Sequence, residues 1–184
     1  MKLGDVIGFS GHDWQSHVIN MATLGIPFWS ISHVGIVGPA GDNKALYEAT
    51  TSLPSHPCLL TGRVDGVKAV DLESRIDAYE GSVWRYPLAR PLYSHECKRL
   101  SDLLKAVIGT SYDWRDAFRS NSVFRFVEQW PRPSCVRELF CSELVTYCLN
   151  EIGLFPTQNV SKWSPNALMR KLRKGVVKKA VRLK

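Results

Sequence analysis

Cys141 stands in "FCSELVTYCLN", residues 140 to 150, a stretch with an apolar stripe wide enough for a buried helix. A thiol in the first turn of such a helix has two uses. It packs as a small hydrophobe, or it serves as a nucleophile, because a helix start gathers unpaired N–H groups and partial positive charge that favour a thiolate and can hold an oxyanion. A catalytic thiolate needs a base, and the base needs a group to orient it. Of the five histidines, His33 is best placed. It opens the apolar run "HVGIVG", where a rigid strand can hold an imidazole at a sheet rim, and Gly35 leaves space on the same face. A histidine merely satisfied at a strand end is the plainer alternative.

The orienting group comes from "ALYEAT", where alternation puts Leu46, Glu48 and Thr50 on one face and Ala45, Tyr47 and Ala49 on the other. A carboxylate in an otherwise apolar strand is costly to bury without a partner. If this strand pairs with that of His33, Glu48 reaches the ring nitrogen turned away from the thiol; on an edge strand it faces water instead. Glu143 lies about 200° around the helix from Cys141 and is expected to stabilise the helix start.

These side chains need elements to carry them. "GDVIGFS" reads as a strand between glycines, and Asp13 caps a helix over "WQSHVINMATLG". "SHVGIVG" and "KALYEAT" read as a hairpin about "PAGDN". "VKAV" and "SVWRYPL" are further strands around a short helix opened by Asp71. A longer helix runs from Ser94, its cap, to Gly109, and "SPNALMRKLRKG" forms a last one, with Ser164 as cap and Pro165 in the first helical position. Residues 110 to 135 give no clear pattern. Antiparallel strands with separate helices indicate an α+β domain.

The chain's 184 residues suit one domain with a full core. Its charge is uneven: residues 162 to 184 hold nine Lys or Arg and no Asp or Glu, leaving a body of fifteen basic and seventeen acidic residues. That pattern separates a domain over residues 1 to 172 from a basic arm over 173 to 184, suited to an anionic polymer or membrane surface rather than to specific nucleic-acid reading. Five cysteines, an odd number without a repeating framework, favour free thiols in a reducing compartment. No run has signal-peptide or membrane-spanning character, so a cytoplasmic protein is expected. Zinc-ligand spacings, deaminase motifs and a phosphate loop are missing, so neither a metal nor a cofactor is expected.

The order "GDVIGFS", helix, "SHVGIV", "LYEAT", "YDW", "FCSELV" and "SPNAL" resembles the circularly permuted NlpC-type branch of the papain-like cysteine hydrolases, the YiiX-like group, over roughly residues 3 to 172. The resemblance implies an antiparallel sheet or small barrel packed against helices, with Cys141 as nucleophile, His33 as base and Glu48 as third member. Placing His before Cys does not alter a triad defined by geometry. Tyr112 in "SYDW" matches a tyrosine near the oxyanion site of related enzymes, although a core aromatic explains it nearly as well. The backbone N–H of Cys141 is the other oxyanion donor expected. The implied activity is that of a cysteine amidase, peptidase or deacylase acting on peptides, cell-wall peptides or acyl-amides and esters. Thioester-based acyl transfer, as in the related lecithin-retinol acyltransferase branch, and a non-catalytic binding domain using the basic arm are the alternatives. A phage-encoded or cytosolic hydrolase is compatible with the lack of an export signal. Pro27, Phe28, Trp29 and Trp114 are candidates for an apolar groove or for core cover.

Overall fold

The alternating segments assemble into a six-stranded antiparallel sheet of order β4-β3-β2-β1-β5-β6. The structure, a computed structural model, describes residues 1–11, 31–50, 56–64, 66–109, 136–157, 159–160 and 163–184, with backbone alone for 136–140. Strands β1 (Val6–Gly11), β2 (His33–Ala40) and β3 (Asn43–Thr50) form its centre. β4 (Gly66–Asp71) and β5 (Gly81–Tyr86) flank them, and β6 (Val181–Arg182) closes the far side. The described helices are α1 (Leu72–Asp77), α2 (Ser94–Val107), α3 (Val136–Glu151) and α4 (Pro165–Leu172). The fold is a mixed α+β arrangement, and its described strands make an open sheet rather than a barrel. The helix expected after Asp13, Tyr112 and the groove candidates Pro27, Phe28, Trp29 and Trp114 lie outside the described residues.

Alternation divides the core by face. Val34, Ile36, Ala45 and Tyr47 bury one face beneath α2, α3 and α4, which contribute Leu100, Leu104, Leu144, Leu149 and Leu168. Full burial of each such side chain stabilises the fold by about 1.5–3 kcal/mol, so this three-helix face anchors the sheet. Ile7, Phe9, Val37, Leu46 and Val70 bury the opposite face with Leu72 and Ile76 of α1.

Local chemistry sets the helix ends. Asp71 accepts from Ser74 N at 2.8 Å, and Ser164 accepts from Ala167 N at 3.3 Å, each satisfying an N–H that the helix leaves unpaired. Ser94 is not the cap of α2: that position falls to Tyr93, whose N–H donates to Glu96 at 2.8 Å. Gly109 then supplies the turn at φ 74°, a left-handed value that costs glycine little.

The basic C-terminal segment is laid along the sheet. Ala89 N donates to Val176 O at 2.9 Å and Lys178 N to Pro87 O at 2.7 Å. Leu183 N donates to Val83 O at 2.8 Å, and Val83 N to Lys184 O at 3.1 Å. Val177 is buried, while Lys178, Lys179, Arg182 and Lys184 face water. The segment after residue 173 thus pairs along the sheet edge, with Val177 buried and its lysines and arginines left exposed. Among the described residues no helix is long and apolar enough to cross a membrane.

Candidate active site

Three strands and two helices converge where β1 ends and β2 begins. Phe9 lies opposite His33 in the β1–β2 register. Continuing the β2–β3 register from Ile36 opposite Tyr47 puts Glu48 beside Gly35, diagonal to His33 and on the same face. Gly35 is required there: a Cβ would stand 2.7 Å from Leu46 Cδ1 and 2.8 Å from Tyr47 O. β3 lies between β2 and β4, so Glu48 is an interior residue, with 0% exposure.

The buried carboxylate is fully engaged. His33 Nε2 lies 2.9 Å from Glu48 Oε2. Arg75 Nε donates to Glu48 Oε1 at 3.1 Å and to Oε2 at 3.4 Å. Burial penalises the Glu48 charge, yet the His33 hydrogen bond and the His33 and Arg75 charges outweigh it and bring the carboxyl down to about 2. Lys68, the register partner of Glu48 on β4, is also buried and donates from Nζ to His56 O at 2.7 Å. Burial lowers the Lys68 pKa.

Cys141 comes from α3, on the helix-covered face, and meets His33 at the strand end. A side-chain hydrogen bond joins the two. With Nε2 engaged by Glu48, Nδ1 is the ring nitrogen left for the thiol. Burial pulls the His33 pKa down, but the Cys141 charge and hydrogen bond, reinforced by Glu48, carry it up to about 10. The ring is therefore held between two acidic groups that favour its protonated form. Cys141 itself has 0% exposure.

The carrying helix differs from expectation. It starts at Val136, which makes Cys141 its sixth residue and places its N–H within the intrahelical ladder. Neither thiolate stabilisation by a helix start nor an oxyanion donor from this N–H is available here. His33 and Glu48 carry the electrostatics instead. Ser142 donates to Trp163 O, tying α3 to the start of α4, and Glu143 is buried, at 3% exposure.

The overall fold is similar to that of the metalloprotein YiiX from Escherichia coli O157:H7, of the group DUF1105. The TM-score is 0.53 and the identity 17%, over 100% of this chain and 96% of that one. No family model matches the chain, and no curated protein matches it.

Arg75 was not singled out in the sequence, although its position carried a signal. Leu72, Arg75 and Ile76 are the buried residues of α1. A cation at i+3 between apolar i and i+4 positions lies on the stripe facing the sheet. Lys68 is the strand equivalent, a cation within the buried run "VKAV".

Proposed function

We propose that the chain is a cysteine-dependent hydrolase of the circularly permuted papain-like type, acting through an acyl-enzyme on Cys141. The observation that carries this reading is the engagement of His33 on both sides, by Cys141 and by Glu48. Such an arrangement sets the tautomer and direction of a general base. The order of the sequence motifs and the likeness in fold to YiiX support the same reading.

In acylation the Cys141 thiolate attacks the substrate carbonyl carbon. The tetrahedral adduct collapses as the bond to the leaving nitrogen or oxygen breaks, and the His33 imidazolium gives that group its proton. Water then attacks the thioester while His33 takes a proton from it, and the thiol leaves with the acid as product. Glu48 orients the ring throughout and stays ionised. Substrates are amides or esters of peptide, cell-wall peptide or acyl type. With an amine or alcohol in place of water, the same steps give acyl transfer.

YiiX is described as a metalloprotein, but the donor set here does not fit a metal. Both Glu48 oxygens face the Arg75 guanidinium, and Oε2 also faces His33. Among the described residues no cluster of three or more His, Cys, Asp and Glu suits an ion. No step is assigned to one.

An anionic partner is the second element of the proposal. A cavity of about 480 Å³ at the other end of the sheet is lined by Lys2, Lys44, Arg85, Arg90 and Lys178, with Asp5 among them paired to Arg85 at 2.8 Å. Such a surface suits a polymer or membrane of negative charge.

A panel of peptidoglycan fragments, isopeptides and acyl-lipids, read by intact mass for an acyl adduct and by product release, tests the reaction. The expected result is an adduct on Cys141 with at least one class. Cys141→Ala should abolish turnover, and His33→Ala should reduce it nearly as far. Full activity in folded Cys141→Ala overturns the mechanism.

A further inference from the structure

Glu48 has more positive charge around it than a His33 orienter requires. Its Oε2 accepts from His33, yet Arg75 reaches both oxygens from α1. Arg75 is itself buried, at 6% exposure, so this is not a solvent-screened surface pair. Its Cζ lies 4.8 Å from the Phe9 ring centroid and 5.4 Å from that of Tyr79. Phe9 meets Tyr79 at 4.9 Å and His33 at 5.5 Å, centroid to centroid. The guanidinium and the imidazole therefore share the Phe9 ring as a common wall. A carboxylate with one partner can rotate about its terminal bond. A second donor reaching both oxygens removes that freedom and keeps Oε2 on the histidine.

We propose that Arg75 is a positioning residue for His33: packed against Phe9 and Tyr79, it fixes the Glu48 carboxylate, and the carboxylate fixes the ring that faces Cys141. The proposal rests on the reading of Cys141 and His33 as nucleophile and base. The charged groups facing Glu48 are His33 from β2, Arg75 from α1 and Lys68 from β4, and Cys58 lies near Lys68. Lys68 adds charge and donates to the His56 carbonyl. Arg75 adds the two-oxygen contact, so the effects of the two cations on ring geometry should differ.

The test combines two readouts on the full chain. One is the rate of Cys141 alkylation by iodoacetamide across pH, resolved by peptide mass spectrometry with Cys97 as internal reference. The other is the ¹⁵N resonance pair of the His33 ring. Arg75→Gln should slow Cys141 by about tenfold or more relative to Cys97 and shift the His33 Nε2 resonance, and Arg75→Lys should recover part of both. On a Glu48→Gln background, Arg75→Gln should cost less than about twofold more, because two residues acting through one contact are not additive. A folded Arg75→Gln protein with unchanged Cys141 rate and unchanged His33 resonances overturns the proposal. If the single variant does not fold, the double variant decides: a further loss of about tenfold over Glu48→Gln places Arg75 outside this relay and overturns it equally. If no substrate class leaves an acyl adduct on Cys141, the catalytic reading fails. The resonance shift in Arg75→Gln then still supports the positioning role, and its absence refutes it.

Discussion

Two regions of this protein are rich in positive charge and use it in opposite ways. Around Glu48, Arg75 and Lys68 are buried, and each meets an acceptor of fixed geometry. Along β6 and the segment before it, Lys178, Lys179, Arg182 and Lys184 stand in water on the sheet edge. Buried charge is weakly screened and expensive to leave unpaired, so a single partner matters greatly. Exposed charge is screened, and each residue contributes little to stability. At an edge it also discourages pairing with another sheet. The same residue type is thus part of a geometrical device in one place and part of a diffuse field in the other.

The largest effect should come from breaking the buried side of this contrast. Glu48→Gln keeps the shape and an accepting oxygen but leaves Arg75 without a counter-charge. A loss of about 3 kcal/mol is expected, the low end for a broken buried pair, together with a 10- to 10³-fold fall in turnover. Urea unfolding and steady-state rates check the two parts separately. Unchanged stability would mean that the carboxylate is not the partner Arg75 needs.

Acid and base sharpen the contrast next. Glu48 is held down at about 2 against an ordinary value of 4.5, so its contribution is fully present above 4.5 and is lost as the pH falls toward 2. His33 is raised from 6.5 to about 10, so its contribution is fully present below 6.5 and disappears as the pH rises through 10. Stability measured from pH 2 to 10 should therefore fall at both ends, with the acid fall reduced in Glu48→Gln and the alkaline fall reduced in Cys141→Ala.

The smallest effects belong to the edge. Changing Lys178, Lys179 and Arg182 singly to Gln should alter stability by no more than about 0.5 kcal/mol, while weakening salt-dependent retention on an anionic matrix. Removing residues 181 to 184 should cost more, about 1–2 kcal/mol, because it also takes the three backbone bonds at Val83 and the half-buried Leu183. Thermal unfolding and a salt-gradient column separate the charge effect from the strand effect. A truncation without thermal cost would restore the picture of a detached arm.

The sequence by itself determined the strands that alternate, the caps at Asp71 and Ser164, and the face Glu48 shares with Leu46, since these depend on local pattern and backbone chemistry. It marked Cys141, His33 and Glu48 because thiol, imidazole and carboxylate are scarce on apolar elements. It could not decide whether Glu48 faced water, because edge and interior strands share one alternation and only the strand order, with β4 outside β3, excludes solvent. Tertiary structure also set the start of α3, moving Cys141 away from the unpaired N–H groups on which a local reading relied. Tertiary structure likewise lays the tail along the sheet, where Val177 and Leu183 are covered only because Leu88 and Val83 lie beside them. Arg75 depended most on the fold, because twenty-seven residues separate it from Glu48. The β4–α1 turn must close beneath β3 before the two charges can meet.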